Sequence, residues 1–133
     1  MTDEEREVFD GLVDEVIASL PARVVAIFDE APLLVDDEPA PEVLREFGLD
    51  PSSEEDRASL CGLHTGLAIT ERSVEMDGVL PSQIHIYRVG IVREAGGWAH
   101  TDEIREQIRI TILHEVGHEM GLDEDDLEEL GYA

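Results

Sequence analysis

The pattern of apolar and polar residues predicts two long amphipathic helices, because apolar positions recur three and four residues apart in two segments. The first segment runs from Asp3 to Leu20 and stops at Pro21, which cannot continue a helix. Its apolar positions are Val8, Phe9, Leu12, Val13, Val16 and Leu20. The second segment begins at Thr101, a favourable N-cap with two acidic residues after it, and ends at a Gly121 terminator.

The second predicted helix is expected to be partly covered on two sides. One side carries Ile104, Ile108, Ile112, Leu113 and Val116, and the nearly opposite side carries Ile110, His114 and His118. A glycine inside this helix, Gly117, costs about 1 kcal/mol relative to alanine, which is reasonable if another segment packs close to it. Burial on two sides suits a helix that forms the floor of a cleft.

Shorter apolar runs predict strands between the two helices. Val24 to Phe28 is predicted to be a buried strand. Leu60 to Thr70 and Gln83 to Val92 are predicted to be two further strands, linked by a turn near Asp77-Gly78. A short helix is predicted from Pro41 to Phe47, because proline favours the first helical position.

The composition predicts one domain over residues 1–133, since a chain of this length with 42% hydrophobic residues can build a single modest core. The single cysteine, Cys61, excludes an internal disulfide and fits a reducing compartment. The N-terminus is acidic, and no apolar run approaches the length of about 18 residues that spans a membrane. We therefore expect a cytoplasmic protein.

The charge is strongly negative, with 33 acidic and nine basic residues and a net charge of -24. All nine basic residues are arginines. Such a field repels nucleic acids and anionic membranes, so neither is an expected partner, and it attracts cationic partners or substrates. The alternative is that the acidity reflects the general composition of the host's proteins and only keeps the chain soluble.

The second predicted helix carries an H-E-x-x-H run formed by His114, Glu115 and His118. Residues four apart lie about 5–6 Å from each other on one helix face, so two imidazoles can bind one tetrahedral zinc ion. Glu115 is turned about 100° from His114, where its carboxylate can accept a proton from a water that zinc activates. The alternative is an ordinary amphipathic helix with two histidines four residues apart.

A third zinc ligand is predicted downstream of the helix. After the Gly121 turn, Glu124 occupies the last place of an H-E-x-x-H-x-x-G-x-x-ligand pattern. Asp123 is its main competitor. Asp125 and Asp126 are predicted instead to cap a short last helix.

The segment from Ile112 to Tyr132, ILHEVGHEMGLDEDDLEELGY, resembles the C-terminal signature of the minimal-zincin family, small bacterial proteins regarded as zinc metallopeptidases. Three upstream segments match that family's pattern in the same order. They are FDEAP (Phe28 to Pro32), GLAITERSV (Gly66 to Val74) and LPSQIHIYR (Leu80 to Arg88). The resemblance therefore covers nearly the whole chain.

The resemblance implies a compact zincin-like α+β domain, in which a small mixed sheet packs on the helix of the H-E-x-x-H motif. By position, it makes His114 and His118 zinc ligands, Glu115 the general base and residue 124 the third ligand. The family more often has aspartate at that place, so Glu124 and Asp123 both stay candidates.

In zincins an edge strand near the metal helix pairs with the extended substrate, and Gly62 to Ile69 is the candidate here. His64, His85, Tyr87 and Arg88 could help to stabilise an oxyanion, although each is more often a strand residue with a local partner.

The function predicted from these features is zinc-dependent hydrolysis of a peptide or protein substrate. A non-catalytic zinc protein is the nearest alternative. An acidic interaction protein, such as a DNA mimic on a basic partner, is a third possibility, but it would leave the H-E-x-x-H motif unexplained.

Overall fold

The structure is a computed structural model of the chain and describes residues 1–66 and 82–125. In chain order, the elements are α1 (Asp3–Ser19), α2 (Ala22–Val25), a 3₁₀ turn (Ala26–Asp29), β1 (Leu33–Asp36), α3 (Pro41–Glu46), α4 (Glu54–Arg57), β2 (Gly62–Thr65), β3 (Gln83–Tyr87), α5 (Arg88–Glu94) and α6 (Thr101–Glu119). No helix in these described ranges is long and apolar enough to cross a membrane.

The first long helix, α1, forms as predicted and begins with a capping box. The Thr2 hydroxyl accepts a hydrogen bond from the Glu5 backbone N–H, and the Glu5 carboxylate accepts one from the Thr2 N–H. The helix ends before Pro21, and Leu20 already has an extended conformation. Its apolar face buries Phe9, Leu12, Val13 and Val16.

The sheet has three strands in the order β1-β3-β2 among the described residues. The central strand, β3, runs parallel to β1, with Leu33 opposite Ile84, and antiparallel to β2, with Leu63 opposite His85. The α+β class and the small mixed sheet are therefore as predicted. Helix α6 packs on β2 and β3 and also contacts α1 and α5, so it crosses the centre of the domain.

The predicted strand from Val24 to Phe28 is wrong, because this segment is helical in α2 and the following 3₁₀ turn. The half-buried side chains of Val24, Ile27 and Phe28 are spaced three and four residues apart, which suits a helix packed on the core. The first strand lies further along, at Leu33–Asp36.

The predicted strand from Gln83 to Val92 is correct only as far as Tyr87, where the chain turns into α5. A Cβ atom at Gly90 would lie 1.9 Å from the Leu60 carbonyl oxygen, so this glycine lets α5 pack against the backbone before β2. Of the strand predicted from Leu60 to Thr70, the part from Gly62 to Thr65 is present as β2. The rest of this predicted strand from residue 67 onward, and the predicted turn near Asp77-Gly78, lie outside the described residues.

Candidate metal centre

Helix α6 buries one face in the core and turns the other toward a cleft. Its side chains Ile104, Ile108, Ile112, Leu113 and Val116 are buried, as the apolar stripe predicts. The side chains of His114 and His118 are only 23% and 28% exposed. The helix begins one residue earlier than predicted, since His100 is the N-cap and Thr101 is already the first helical residue.

The C-terminal end of α6 turns the chain back toward its own histidines. The Leu122 N–H donates to the Gly117 carbonyl and the Gly121 N–H to the His118 carbonyl, which together form a Schellman motif. Gly121 has φ 84°, the left-handed conformation that favours glycine. The glycine terminator is as predicted from the sequence, and it directs residues 122–124 along the cleft.

Three side-chain atoms converge in the cleft beside this turn. The His118 Nε2 atom lies 3.1 Å from His114 Nε2 and 3.0 Å from Glu124 Oε1. The His114 Nε2 atom lies 3.3 Å from the same carboxylate oxygen. Asp123 also lines the cleft, and Glu124 contacts both ring nitrogens.

This triangle fits a zinc ion both in size and in chemistry. Zinc bonds of 2.0–2.1 Å in a tetrahedral site place neighbouring ligand atoms about 3.3 Å apart. Two imidazoles and one carboxylate leave a fourth position open, which is the arrangement of catalytic zinc sites. The residues present therefore suit the metal that the motif implies.

Glu115 lies next to this triangle and is buried, with 6% of its surface exposed. A ligand atom from each of His114, Glu115 and His118 falls within 4.8 Å of the others. Burial raises the pKa of Glu115 to about 7, helped by the negative charge of Glu124 and opposed by His114. A carboxyl group with this pKa can both accept and release a proton near neutral pH.

Strand β2 passes very close to Glu115 because residue 62 is glycine. A Cβ atom at Gly62 would lie 2.7 Å from Thr111 Cγ2, 3.0 Å from the His85 carbonyl oxygen and 3.1 Å from Glu115 Oε2. Any side chain at this position would push the strand away from α6 or displace the carboxylate.

A buried carboxyl group beside the site, that of Glu119, was not predicted from the sequence. Its carboxylate is fully buried, and Oε2 lies 2.5 Å from His64 Nε2 on β2. One signal was available, because Glu119 lies seven residues after Ile112 and continues the buried stripe of α6. An acidic residue at such a position requires a polar partner.

Of the four residues considered for an oxyanion, only His64 lines the cleft or the cavity beside it, as far as residues 1–66 and 82–125 show. Tyr87 is buried, and this burial raises its pKa to about 12. Arg88 is bound by the carboxylates of Asp10 and Asp37. Among the described residues, His85, Tyr87 and Arg88 therefore do not line the cleft, and the alternative that each is a residue of the sheet region with a local partner is favoured.

The cleft above the three converging atoms has a volume of about 610 Å³. Apolar side chains from Phe47, Leu60, Leu63 and Leu122 form part of its wall. Together with the buried carboxyl of Glu115, the cleft can hold a substrate against a metal and a proton acceptor at once.

Comparison with known proteins agrees with the resemblance carried by the motifs. A search of the curated proteins found no match to this chain. The family model of zincin-like metallopeptidases matches residues 28–132, a range that contains the H-E-x-x-H helix and the downstream turn. Since this match covers most of the sequence, the chain belongs to the zincin-like metallopeptidase family.

Proposed function

We propose that the protein is a zinc-dependent metallopeptidase in which His114, His118 and Glu124 bind the metal and Glu115 is the general base. The observation that carries this proposal is the convergence of three ligand atoms within 3.0–3.3 Å of one another beside a buried carboxyl group. Zinc at such a site supplies Lewis-acid activation of a water molecule and of the scissile carbonyl.

Glu115 performs the proton transfers in this proposal. Its carboxylate takes a proton from the attacking water and later delivers it to the leaving amine. Burial favours the neutral form of this carboxyl group and raises its pKa to about 7. Gly62 keeps the space next to the carboxylate free of a side chain.

Strand β2 is the proposed support for the substrate backbone. It lines the cleft through Gly62, Leu63 and His64, and in the described part of the chain it pairs with β3 on one edge only. An extended peptide could add to the other edge through main-chain hydrogen bonds. The pair formed by His64 and Glu119 ties this strand to α6, and so keeps it at a fixed distance from the metal ligands.

Two measurements on the purified protein test the proposal. Metal analysis gives its zinc content, and mass spectrometry detects cleavage of a mixture of unstructured peptides. We expect about one zinc per chain and peptide cleavage that a chelator abolishes and added zinc restores. Stoichiometric zinc without cleavage of any peptide would instead identify a non-catalytic zinc protein. Absence of zinc binding would contradict both functions.

A further inference from the structure

A second cavity, of about 370 Å³, adjoins the metal centre. It shares three wall residues with the main cleft: Gly62, His114 and Glu115. We call it the side pocket, and its other walls are Cys61, Glu94, Gln107, Ile110 and Thr111. Because the shared walls include a proposed zinc ligand and the proposed base, the side pocket opens next to the place where the scissile bond would lie.

The walls of the side pocket are rich in hydrogen-bond acceptors and carry negative charge. Glu94 and Glu115 supply carboxylates, and Gln107 and Thr111 supply an amide and a hydroxyl. None of the described residues that line it is an arginine, and the chain contains no lysine. Burial, together with the charges of Glu94 and Glu115, raises the pKa of the Cys61 thiol to about 11, so both carboxyl groups lie close enough to act on this wall of the pocket.

The negative charge of Glu94 does not lie where it would stabilise the fold. Glu94 is the last residue of α5, and the C-terminal end of a helix disfavours a negative side chain. Within the described ranges its side chain makes no hydrogen bond or ion pair, and the adjacent Arg93 is directed to Glu55, with Nη2 3.6 Å from Oε1. The carboxylate is exposed and is left available to a ligand.

The main cleft has a different character, because large apolar side chains form part of its wall. Phe47, whose surface is 53% exposed, lines this cleft together with Leu60 and Leu63. An apolar substrate side chain is suited to this wall, whereas a basic one is suited to the side pocket. The two cavities therefore differ in the substrate residues that they can accept.

We propose that the side pocket is a specificity subsite that takes a basic side chain of the substrate, next to the scissile bond, and that Glu94 recognises its charge. This inference rests on the proposed peptidase function, since the scissile bond must lie at the shared wall. A guanidinium group matches the carboxylate by two parallel hydrogen bonds and can also donate to the Gln107 amide and Thr111 hydroxyl oxygens. The net charge of -24 acts in the same direction at long range, by attracting cationic peptides.

The first test compares two peptides that differ only in arginine or its uncharged isostere citrulline at the position next to the bond that the parent protein cleaves. For the zinc-loaded parent we expect kcat/KM to be about tenfold higher for the arginine peptide.

The Glu94→Gln variant should bring this ratio of kcat/KM values close to one while retaining zinc. The control Glu103→Gln removes the same charge from an exposed position of α6 that lines neither cavity, and it should leave the ratio unchanged. Equal rates for the two peptides in the parent, or a ratio that persists in Glu94→Gln, would overturn the proposal.

A binding measurement separates this inference from the proposed function. The probes are the amides of N-acetylarginine and N-acetylcitrulline, titrated into the zinc-loaded parent and Glu94→Gln proteins by calorimetry. A preference for the arginine probe that depends on Glu94 supports the subsite even if no peptide is cleaved, in which case the peptidase function alone fails. Equal binding of both probes, or binding of neither, overturns the subsite even if cleavage is observed.

Discussion

His64 on β2 and Glu119 on α6 form a buried pair, with Nε2 2.5 Å from Oε2, one residue beyond the proposed zinc ligand His118. This pair joins the strand that lines the cleft to the helix that carries the motif. A carboxylate that is removed from solvent is stable only with hydrogen-bonding partners, so the geometry of the cleft and the stability of the fold depend on the same contact.

Glu119→Ala should lower the free energy of unfolding by about 3 kcal/mol, because His64 would keep a buried polar group without this partner. A double-mutant cycle with His64→Ala, measured by denaturant unfolding, isolates the pair from other contacts of Glu119. The coupling should exceed about 1 kcal/mol. As a control, Glu106→Ala at an exposed position of the same helix should change the free energy of unfolding little. Additive effects of the His64 and Glu119 substitutions would show that the contact between them does not stabilise the fold.

Glu124→Ala should weaken zinc binding more than Asp123→Ala, because Glu124 Oε1 lies 3.3 Å and 3.0 Å from the two histidine nitrogens. Loss of a residue that only orients a ligand weakens metal binding by about 10- to 100-fold, so loss of a ligand should weaken it by about 100-fold or more. Competition with a chromogenic chelator gives both dissociation constants. A larger effect of Asp123→Ala would mean that the turn after Gly121 places the other carboxylate on the metal.

Glu115→Gln should retain zinc but reduce peptide cleavage by about 100-fold or more, because an amide cannot accept the proton of the attacking water. Zinc content and kcat are measured on the same preparation, with circular dichroism to confirm the fold. Equal cleavage by the parent and the variant would exclude Glu115 as the base.

The sequence predicts α1 and α6 well because each is long, amphipathic and bounded by recognisable ends. The short apolar run Val24 to Phe28 is ambiguous, since four or five apolar residues fit a strand or a helical turn and only packing decides between them. The start of α5 is equally difficult to predict from the sequence. Its apolar residues continue those of β3 without a break, and the helix packs where Gly90 meets the backbone of Leu60.

The candidate site was predictable where it depends on spacing along one helix and its terminator. The positions of His114, His118 and Glu124 follow from a four-residue interval and a glycine turn, and their role as ligands stays a prediction. The proposed role of Glu94 and the partner of Glu119 could not be predicted, since each depends on which segments the fold brings against α6.

Gly62→Ala should lower both stability and activity, because the added Cβ would lie 2.7 Å from Thr111 Cγ2 and 3.1 Å from Glu115 Oε2. Forcing an extra methyl group into such a contact costs about 1–3 kcal/mol. The closest atom is the Thr111 methyl group, so Thr111→Ser should restore part of the loss in the double variant. Thermal unfolding and kcat/KM measure the two effects, and an unchanged Gly62→Ala protein would show that β2 does not lie this close to the base.

Asp37→Asn should destabilise the protein at neutral pH but not in acid. The Asp37 carboxylate accepts hydrogen bonds from Arg6 and Arg88, and the Arg6 bond is the main cause that holds its pKa below the usual value. A carboxyl group whose pKa is lower in the folded state stabilises the fold above its unfolded pKa of about 3.9, and this contribution is lost as the pH falls through the folded value. We therefore expect Asp37→Asn to lower the free energy of unfolding by about 1 kcal/mol at pH 7. This difference in unfolding free energy between the variant and the parent should shrink below about pH 4. The exposed Asp29→Asn serves as the control, and denaturant unfolding from pH 3 to pH 7 is the measurement. A difference that stays constant over this range would show that the ionised carboxylate does not hold the two arginines.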